Sequence, residues 1–118
     1  MVELRNSRPL GQQEKPSPFM QSKITYQFSG KVWKSGENAG WIFVSLPKDI
    51  AKEIRKNLQW QEEGWGRMKA TAITKHKEWE TAIWFDKKQD TYLLPLKAEI
   101  RKKAQIELGD IIEVEVKL

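Results

Sequence analysis

The sequence predicts a mainly β fold, a closed barrel of six to seven short strands with two short helices, built from two pseudo-symmetric repeats in one chain. The first observation is the tetrapeptide Glu-Ile-Arg-Lys, which occurs at residues 53–56 and again at 99–102. Each copy follows a Leu-Pro pair, Leu46-Pro47 or Leu94-Pro95, and precedes a glycine and a strand-like run. A unit of that size cannot bury its own apolar face, so two copies favour a shared core.

Alternating segments are the second observation that favours a barrel. Near the end of the chain Val114 and Val116 alternate with Glu113 and Glu115, which predicts a strand with its valines inward. Several such segments separated by turns are typical of small all-β domains, and closure removes the sheet edges that invite aggregation. We therefore expect a closed barrel in which no strand is left at an edge.

The chain begins with a polar segment that we exclude from the fold. Residues 1–22 contain three prolines and no apolar periodicity, which predicts a disordered arm, either native or left over from expression. The remaining residues, 23–118, are enough for one domain with one core, which we expect to be monomeric.

The first repeat is predicted to hold two strands and a helix. Residues 24–28 alternate with period two, and residues 41–46 form an apolar run typical of a strand buried on both faces. Pro47 is suited to the start of a helix, because proline costs nothing in the first turn. The apolar stripe of that helix is Ile50, Ile54 and Leu58, at a spacing of four.

The second half is predicted to begin with a hairpin, residues 67–74 and 78–85, across Lys75-His76-Lys77. A charged turn at 86–90 separates it from a strand at 91–96. A second short helix at 97–104 and a Gly109-Asp110 turn then precede the last strand.

Composition and charge restrict the function classes. The chain has no cysteine, which excludes disulfides, thiolate chemistry and most zinc sites, and its one histidine leaves little for a transition-metal site. The net charge of +5 suits nucleic acid or anionic partners, and also simple solubility. We find no signal peptide and no membrane-length apolar run, so we expect a cytoplasmic protein without a membrane contact.

Four runs of residues carry a resemblance to a known family. They are residues 40–47 (GWIFVSLP), residues 66–69 (GRMK), residues 92–97 (YLLPLK) with Ile100-Arg101-Lys102, and Gly109-Asp110. In this order they resemble the bacterial and archaeal family called domain of unknown function 1905, over about residues 24–118. The resemblance implies a double-split β-barrel, and it implies no established activity.

A fainter likeness is to AbrB-type transition-state regulators, which build such a barrel from two chains and bind DNA. It is carried by Leu94-Pro95, the second Glu-Ile-Arg-Lys and Leu108-Gly109-Asp110. The first copy departs from the pattern, with two extra residues after its Leu-Pro pair and arginine after its glycine. The likeness implies nucleic-acid binding by four basic residues on one contiguous face. These are Arg101 and Lys102, with Arg55 and Lys56 as their pseudo-symmetry mates. The competing interpretation is that both helices simply expose solvated charges.

The six tryptophans are the compositional outlier. Trp41 and Trp84 lie in apolar strands, which predicts core packing. Trp60 and Trp65 lie in a polar loop, and Trp65 is flanked by glycines and followed by Arg67. Exposed aromatics beside a cation are typical of interface anchors, although they also cap the open ends of small barrels.

The leading hypothesis is a non-enzymatic binding module that engages a protein or peptide through Trp60, Trp65 and Arg67. Nucleic-acid binding by the four basic helix residues is the alternative. Catalysis comes last, because the single histidine lies in a polar turn and the paired Glu113 and Glu115 form the outer face of a strand. No triad or phosphate-binding loop is present. An enzyme would need an unfamiliar site, so the sequence predicts no catalytic residue, cofactor or metal.

Overall fold

A closed antiparallel barrel forms the body of the protein. The computed structural model describes residues 24–36 and 40–118, so the predicted arm at 1–22 lies outside the described residues. The order of the strands around the barrel is β1-β2-β5-β4-β3-β6, with β6 paired to β1. The predicted mainly β closed barrel is therefore confirmed. In the described residues its strands are β1 (Thr25–Ser35), β2 (Trp41–Ser45), β3 (Arg67–Thr74), β4 (Lys77–Asp86), β5 (Thr91–Pro95) and β6 (Ile111–Lys117).

Two α-helices connect the strands where the sequence predicts them. Helix α1 (Lys48–Leu58) follows β2 and packs against β5, and helix α2 (Ala98–Ala104) follows β5 and packs against β4. Two 3₁₀ turns, Gln59–Gln61 and Gly64–Gly66, lead from α1 to β3. The apolar stripe of each helix is buried, because residues four apart lie on one helix face. Those buried residues are Ala51, Ile54 and Leu58 in α1, and Ile100 and Ala104 in α2.

Alternation decides which side chains of each strand enter the barrel. In β6 Val114 and Val116 are buried and Glu113 is exposed, as predicted. In β3 the buried residues include Met68 and Ala72. Side chains at every second position therefore fill one continuous interior, which the two helices close.

The β3–β4 hairpin turns through Lys75 and His76, as the sequence predicts. Both residues have positive φ angles, 50° and 66°, as a two-residue type I′ turn requires. The Lys75 Nζ donates a hydrogen bond to the carbonyl oxygen of Gln105 at 3.2 Å, which ties the turn to the end of α2.

One prediction about β2 is wrong. Its apolar run predicted burial on both faces, with Trp41 in the core, but Trp41 is 54% exposed. Because β2 alternates, Val44 points into the barrel while Trp41 and Phe43 lie on its outer side. An apolar run shows that both faces are apolar, and it does not show that both are covered.

Backbone contacts relate the two halves of the barrel. The Leu46 N–H donates to the Tyr92 carbonyl at 2.9 Å, and the Leu96 N–H donates to the Ile42 carbonyl at 2.8 Å. If β1 is exchanged with β4, β2 with β5 and β3 with β6, every strand keeps the same kind of neighbours in the closed barrel. The strand order is therefore compatible with a two-fold pseudo-symmetry. The two Leu-Pro pairs are not equivalent, because Pro47 directly precedes α1 whereas Pro95 ends β5. The sequence repeat itself stays a prediction.

Candidate binding surface

Four aromatic side chains form a continuous layer on the outer wall of the barrel, which we call the aromatic face: Trp33 of β1, Trp41 and Phe43 of β2, and Trp84 of β4. The ring centroids of Trp33 and Phe43 are 5.4 Å apart. Those of Trp41 and Trp84 are 5.3 Å apart, and Phe43 lies 6.2 Å from Trp41 and 6.4 Å from Trp84. Each ring is therefore within normal aromatic contact distance of another.

The register of the strands assembles this layer. Strand β5 lies between β2 and β4, and it pairs Pro95 with Phe43 and Leu93 with Trp84. Directly paired residues point to the same side of a sheet, so Pro95 and Leu93 fill the space between the aromatic rings. On the far side of Trp84, strand β3 places Arg67 directly opposite it.

A second apolar cluster is built around Phe43 of the aromatic face. Phe43, Leu93 and Ala82 are buried, yet none of them belongs to the cluster that fills the barrel. Phe43 contacts the rings of all three tryptophans of the face, and Leu93 is paired with Trp84. The barrel wall thus carries apolar side chains on both of its sides here.

Side-chain hydrogen bonds orient one end of the aromatic face. The Trp33 Nε1–H donates to Ser45 Oγ at 2.9 Å, and Ser45 Oγ in turn lies 3.3 Å from Gln89 Oε1. At the other end, the Trp41 indole makes no hydrogen bond with any described residue. Trp41 is therefore the member of the face that is most available to a partner.

Two grooves flank Trp41. The first, of about 540 Å³, runs past Trp84 along β3 and β4, and its charged lining residues are Arg67, Lys69, Lys97 and Glu80. The second, of about 250 Å³, leads toward α2, and its charged lining residues are Lys97 and Arg101. Trp41, Pro95 and Lys97 line both grooves.

The three residues predicted to bind a partner have different surroundings. Trp60 is 77% exposed, and its Nε1–H donates to the Asn57 carbonyl at 3.1 Å. Arg67 forms an ion pair with Glu63 at 3.4 Å and lines the larger groove beside Trp41 and Trp84. The side chain of Trp65 lies outside the described residues. The structure therefore brings Arg67 to the aromatic face and leaves Trp60 on the turn after α1.

The four residues predicted to bind nucleic acid are divided between two helices. The guanidinium of Arg55 lies 3.9 Å from the centroid of the Phe85 ring, and the Arg101 Nε donates to the Leu96 carbonyl at 2.9 Å. Both arginines are half-buried, whereas Lys56 and Lys102 are exposed. No hydrogen bond or ion pair joins the two helices' basic residues within the described chain. Nucleic-acid binding by these four stays a prediction.

Arg55 belongs to a cluster that holds α1 on the barrel. The buried Tyr92 hydroxyl donates to the Glu62 carboxylate, and the Tyr92 ring meets Phe85 edge-on at 5.2 Å. Burial raises the pKa of Tyr92 above its usual value, and the hydrogen bond to Glu62 raises it further, while the nearby Arg55 charge opposes this. The Arg55 guanidinium therefore makes its contacts within the protein, on Phe85 and near Tyr92.

His76 is exposed in its turn, as the sequence predicts. It lines an open cleft of about 680 Å³ that also contains Glu113 and Glu115. Within the described residues no hydrogen bond or ion pair joins His76 to a carboxylate, and no group of three or more His, Asp or Glu side chains is arranged to hold a metal. In that same part of the chain, no helix has the length and apolarity to span a bilayer.

Sequence reasoning missed the aromatic face because it assigned Trp41 and Trp84 to the core. The available signal was the spacing of Trp41 and Phe43, two residues apart in a strand, which places both on one side. Which side faces outward depends on the barrel closing around Val44, and that is a tertiary property.

Comparison with known proteins shows the family of the chain and adds no activity. No functionally curated protein shows significant similarity to the chain. A family model, described as a domain of unknown function, matches residues 28–116, which include nearly all of the barrel and the whole aromatic face. The chain therefore belongs to the family called domain of unknown function 1905 (DUF1905).

Proposed function

We propose that this protein is a non-enzymatic binding module that engages a protein or peptide partner through the aromatic face. The observation that carries the proposal is a layer of contacting aromatic rings on the outside of a closed barrel, with Trp41 54% exposed. Contiguous exposed apolar surface on a small domain marks interaction sites, and tryptophan is enriched among the residues that dominate binding energy.

The barrel does not need this layer for its own core. The interior is filled by the inward-facing residues of all six described strands, and the aromatic face lies on the opposite side of the wall. Phe43 and Leu93 form a small external core that is buried, whereas the Trp41 side chain beside it is 54% exposed. A partner that packed an apolar side chain against Trp41 and Trp84 would extend this external core and cover Trp41.

The aromatic face is also rigidly supported. Its rings stand on hydrogen-bonded strands, and Trp33 is oriented by Ser45 and Gln89. A surface that is already ordered loses little conformational entropy when it binds, which favours affinity from a small contact area.

Peptide selection tests the proposal. A phage-displayed library of random peptides of about twelve residues, an ordinary length for recognition segments, is selected on the wild-type protein, and enriched peptides are measured by fluorescence anisotropy. We expect Trp41→Ala to weaken the enriched peptides by about tenfold or more, since truncating a central tryptophan typically costs on the order of 2 kcal/mol.

The matched control is Trp60→Ala, which removes an exposed tryptophan of the same chain outside the aromatic face. We expect it to change the affinity less than about twofold, because peripheral contacts contribute little. Circular dichroism of both variants checks that they are folded. Failure to enrich any peptide, or peptides that bind Trp41→Ala as tightly as wild type, would overturn the proposal. Binding that depends on Trp60 and not on Trp41 would overturn the assignment to this face.

A further inference from the structure

We infer that the segment bound by the aromatic face is acidic, an extended peptide with carboxylates on both sides of an apolar anchor residue. This inference rests on the proposed function and specifies its ligand. It follows from the charges around Trp41, which the proposal above does not use.

Positive charge flanks Trp41 on two sides. The larger groove is lined by Arg67, Lys69 and Lys97, against one acidic residue, Glu80. The smaller groove is lined by Lys97 and Arg101, with no acidic residue among its lining side chains in the described chain. An apolar anchor seated on Trp41 would therefore have cations near the residues that precede and follow it.

These charges are only partly neutralised by the protein itself. Lys69 and Lys97 are exposed and form no ion pair with any described residue. Arg67 is shared with Glu63 at 3.4 Å, where both side chains are about half exposed, so that pair is weak and can be exchanged. A partner that covers the aromatic face also excludes water from these cations. Its carboxylates would then contribute more binding free energy than a fully exposed ion pair does.

An acidic peptide fits this surface better than a nucleic acid does. The outer side of β3 and β4 pairs Thr71 with Glu80, which puts a carboxylate inside the larger groove. A nucleic acid carries a phosphate at every nucleotide, so that carboxylate repels it, whereas a peptide can place an uncharged residue there. The apolar lining of the larger groove also suits an aliphatic, aromatic or proline side chain, because it includes Trp41, Trp84 and Pro95.

The test uses the peptides selected on the wild-type protein that depend on Trp41. We expect them to carry net negative charge. Replacing their Asp and Glu by Asn and Gln should weaken binding by about tenfold at about 50 mM salt, and the difference should shrink at about 200 mM salt because screening grows. The double variant Lys69→Gln/Lys97→Gln should weaken the acidic peptide about fivefold and the neutralised peptide less than twofold.

The matched control is Lys48→Gln/Lys52→Gln, which removes the same charge from exposed positions of α1 that line neither groove. It should leave peptide affinity within about twofold, as expected of distant charges in salt. Trp41-dependent peptides that are neutral or basic, or that are insensitive to Lys69→Gln/Lys97→Gln, would overturn the inference and leave the proposed function standing. Tight, Trp41-dependent binding of fluorescein-labelled oligothymidylate would overturn it in favour of nucleic acid.

Discussion

The two helices of this protein share the tetrapeptide Glu-Ile-Arg-Lys and use it differently. In both copies the isoleucine is buried, Ile54 at 0% exposure and Ile100 at 7%. The arginines diverge, because Arg55 stacks on the Phe85 ring and Arg101 donates to the Leu96 carbonyl. The same local sequence therefore determines a helix and its buried face, while the partner of each arginine depends on what the rest of the chain places beside it.

The helices also differ by one turn. The tetrapeptide begins six residues after the N-cap Pro47 in α1 and two residues after the N-cap Lys97 in α2. The four extra residues amount to about one helical turn, so they lengthen α1 and keep its isoleucine on the inner face. Helix α1 therefore has one more turn before its tetrapeptide than α2 has.

The ends of the two helices are held in different ways. Helix α2 ends at Gln105, which has a left-handed backbone and donates its N–H to the carbonyls of Arg101 and Lys102. Helix α1 continues into two 3₁₀ turns, whose connection carries Glu62 to the Tyr92 hydroxyl. One helix thus ends through a local cap, and the other through a tertiary hydrogen bond.

The largest expected effect is a loss of stability when either of the two buried isoleucines is truncated. Ile54→Ala and Ile100→Ala should each lower the free energy of unfolding by about 2–5 kcal/mol, since a buried isoleucine loses both its transfer energy and its packing. We expect the larger loss for Ile54, because Ile100 lies beside an open groove where water and side chains can adjust. Urea denaturation of both variants measures this.

The control for that pair is Ile111→Ala, at a position 74% exposed in β6. It should change the free energy of unfolding by less than about 1 kcal/mol. A greater loss from Ile100→Ala than from Ile54→Ala would show that the α2 end, and not the α1 end, is the more tightly packed part of the molecule.

An intermediate loss of stability is expected when the glycines that follow the two helices are replaced. Gly66 and Gly109 have φ angles of 74° and 87°, which side chains resist, so Gly109→Val should cost about 1–3 kcal/mol of stability. Gly66→Val should cost more, because an added Cβ would lie 3.2 Å from the Cβ of Phe85, whereas at Gly109 it would meet nothing within 4 Å.

Thermal and urea denaturation compare these variants with Gly64→Val, where φ is not positive and a Cβ meets nothing within 4 Å. That control should cost less than either. An unchanged melting temperature in Gly109→Val would show that the turn tolerates side chains and that the strain argument fails there.

The smallest effect concerns pH at the α1 end. Burial raises the pKa of Tyr92 above its usual 10.0, so above that pH the unfolded chain loses a proton that the folded protein keeps. The stabilisation is therefore complete below pH 10 and declines as the pH rises further. Tyr92→Phe should cost about 1 kcal/mol at neutral pH through the lost hydrogen bond, and should make the alkaline decline shallower.

Unfolding free energies of wild type and Tyr92→Phe between about pH 8 and pH 11 test this prediction. One titrating group lowers the stability by at most about 1.4 kcal/mol per pH unit. Tyr26, whose pKa is raised by burial and by the Glu53 charge, should account for part of the remaining slope, which Tyr26→Phe would reduce. An alkaline slope identical in wild type and Tyr92→Phe would show that Tyr92 ionises as easily in the folded protein as in the unfolded chain.

Local patterns in the sequence were enough to predict most of the fold. The Ile50, Ile54 and Leu58 spacing, the alternation of Val114 and Val116, and the hairpin at Lys75 and His76 all depend on residues near one another in the chain. Periodicity reports such features directly, because helix and strand repeats are properties of the backbone. The closed barrel followed from counting these elements.

The candidate site was predictable only in part. Arg67 was identified from its sequence neighbours, but it lies beside Trp41 and Trp84, which are distant in the chain and meet it only through the β2-β5-β4-β3 order. The sequence by itself determined the strands, the helices and the abundance of tryptophan. Only the tertiary structure decided which face of β2 is outside, since that depends on how the barrel closes and not on any residue's own preference.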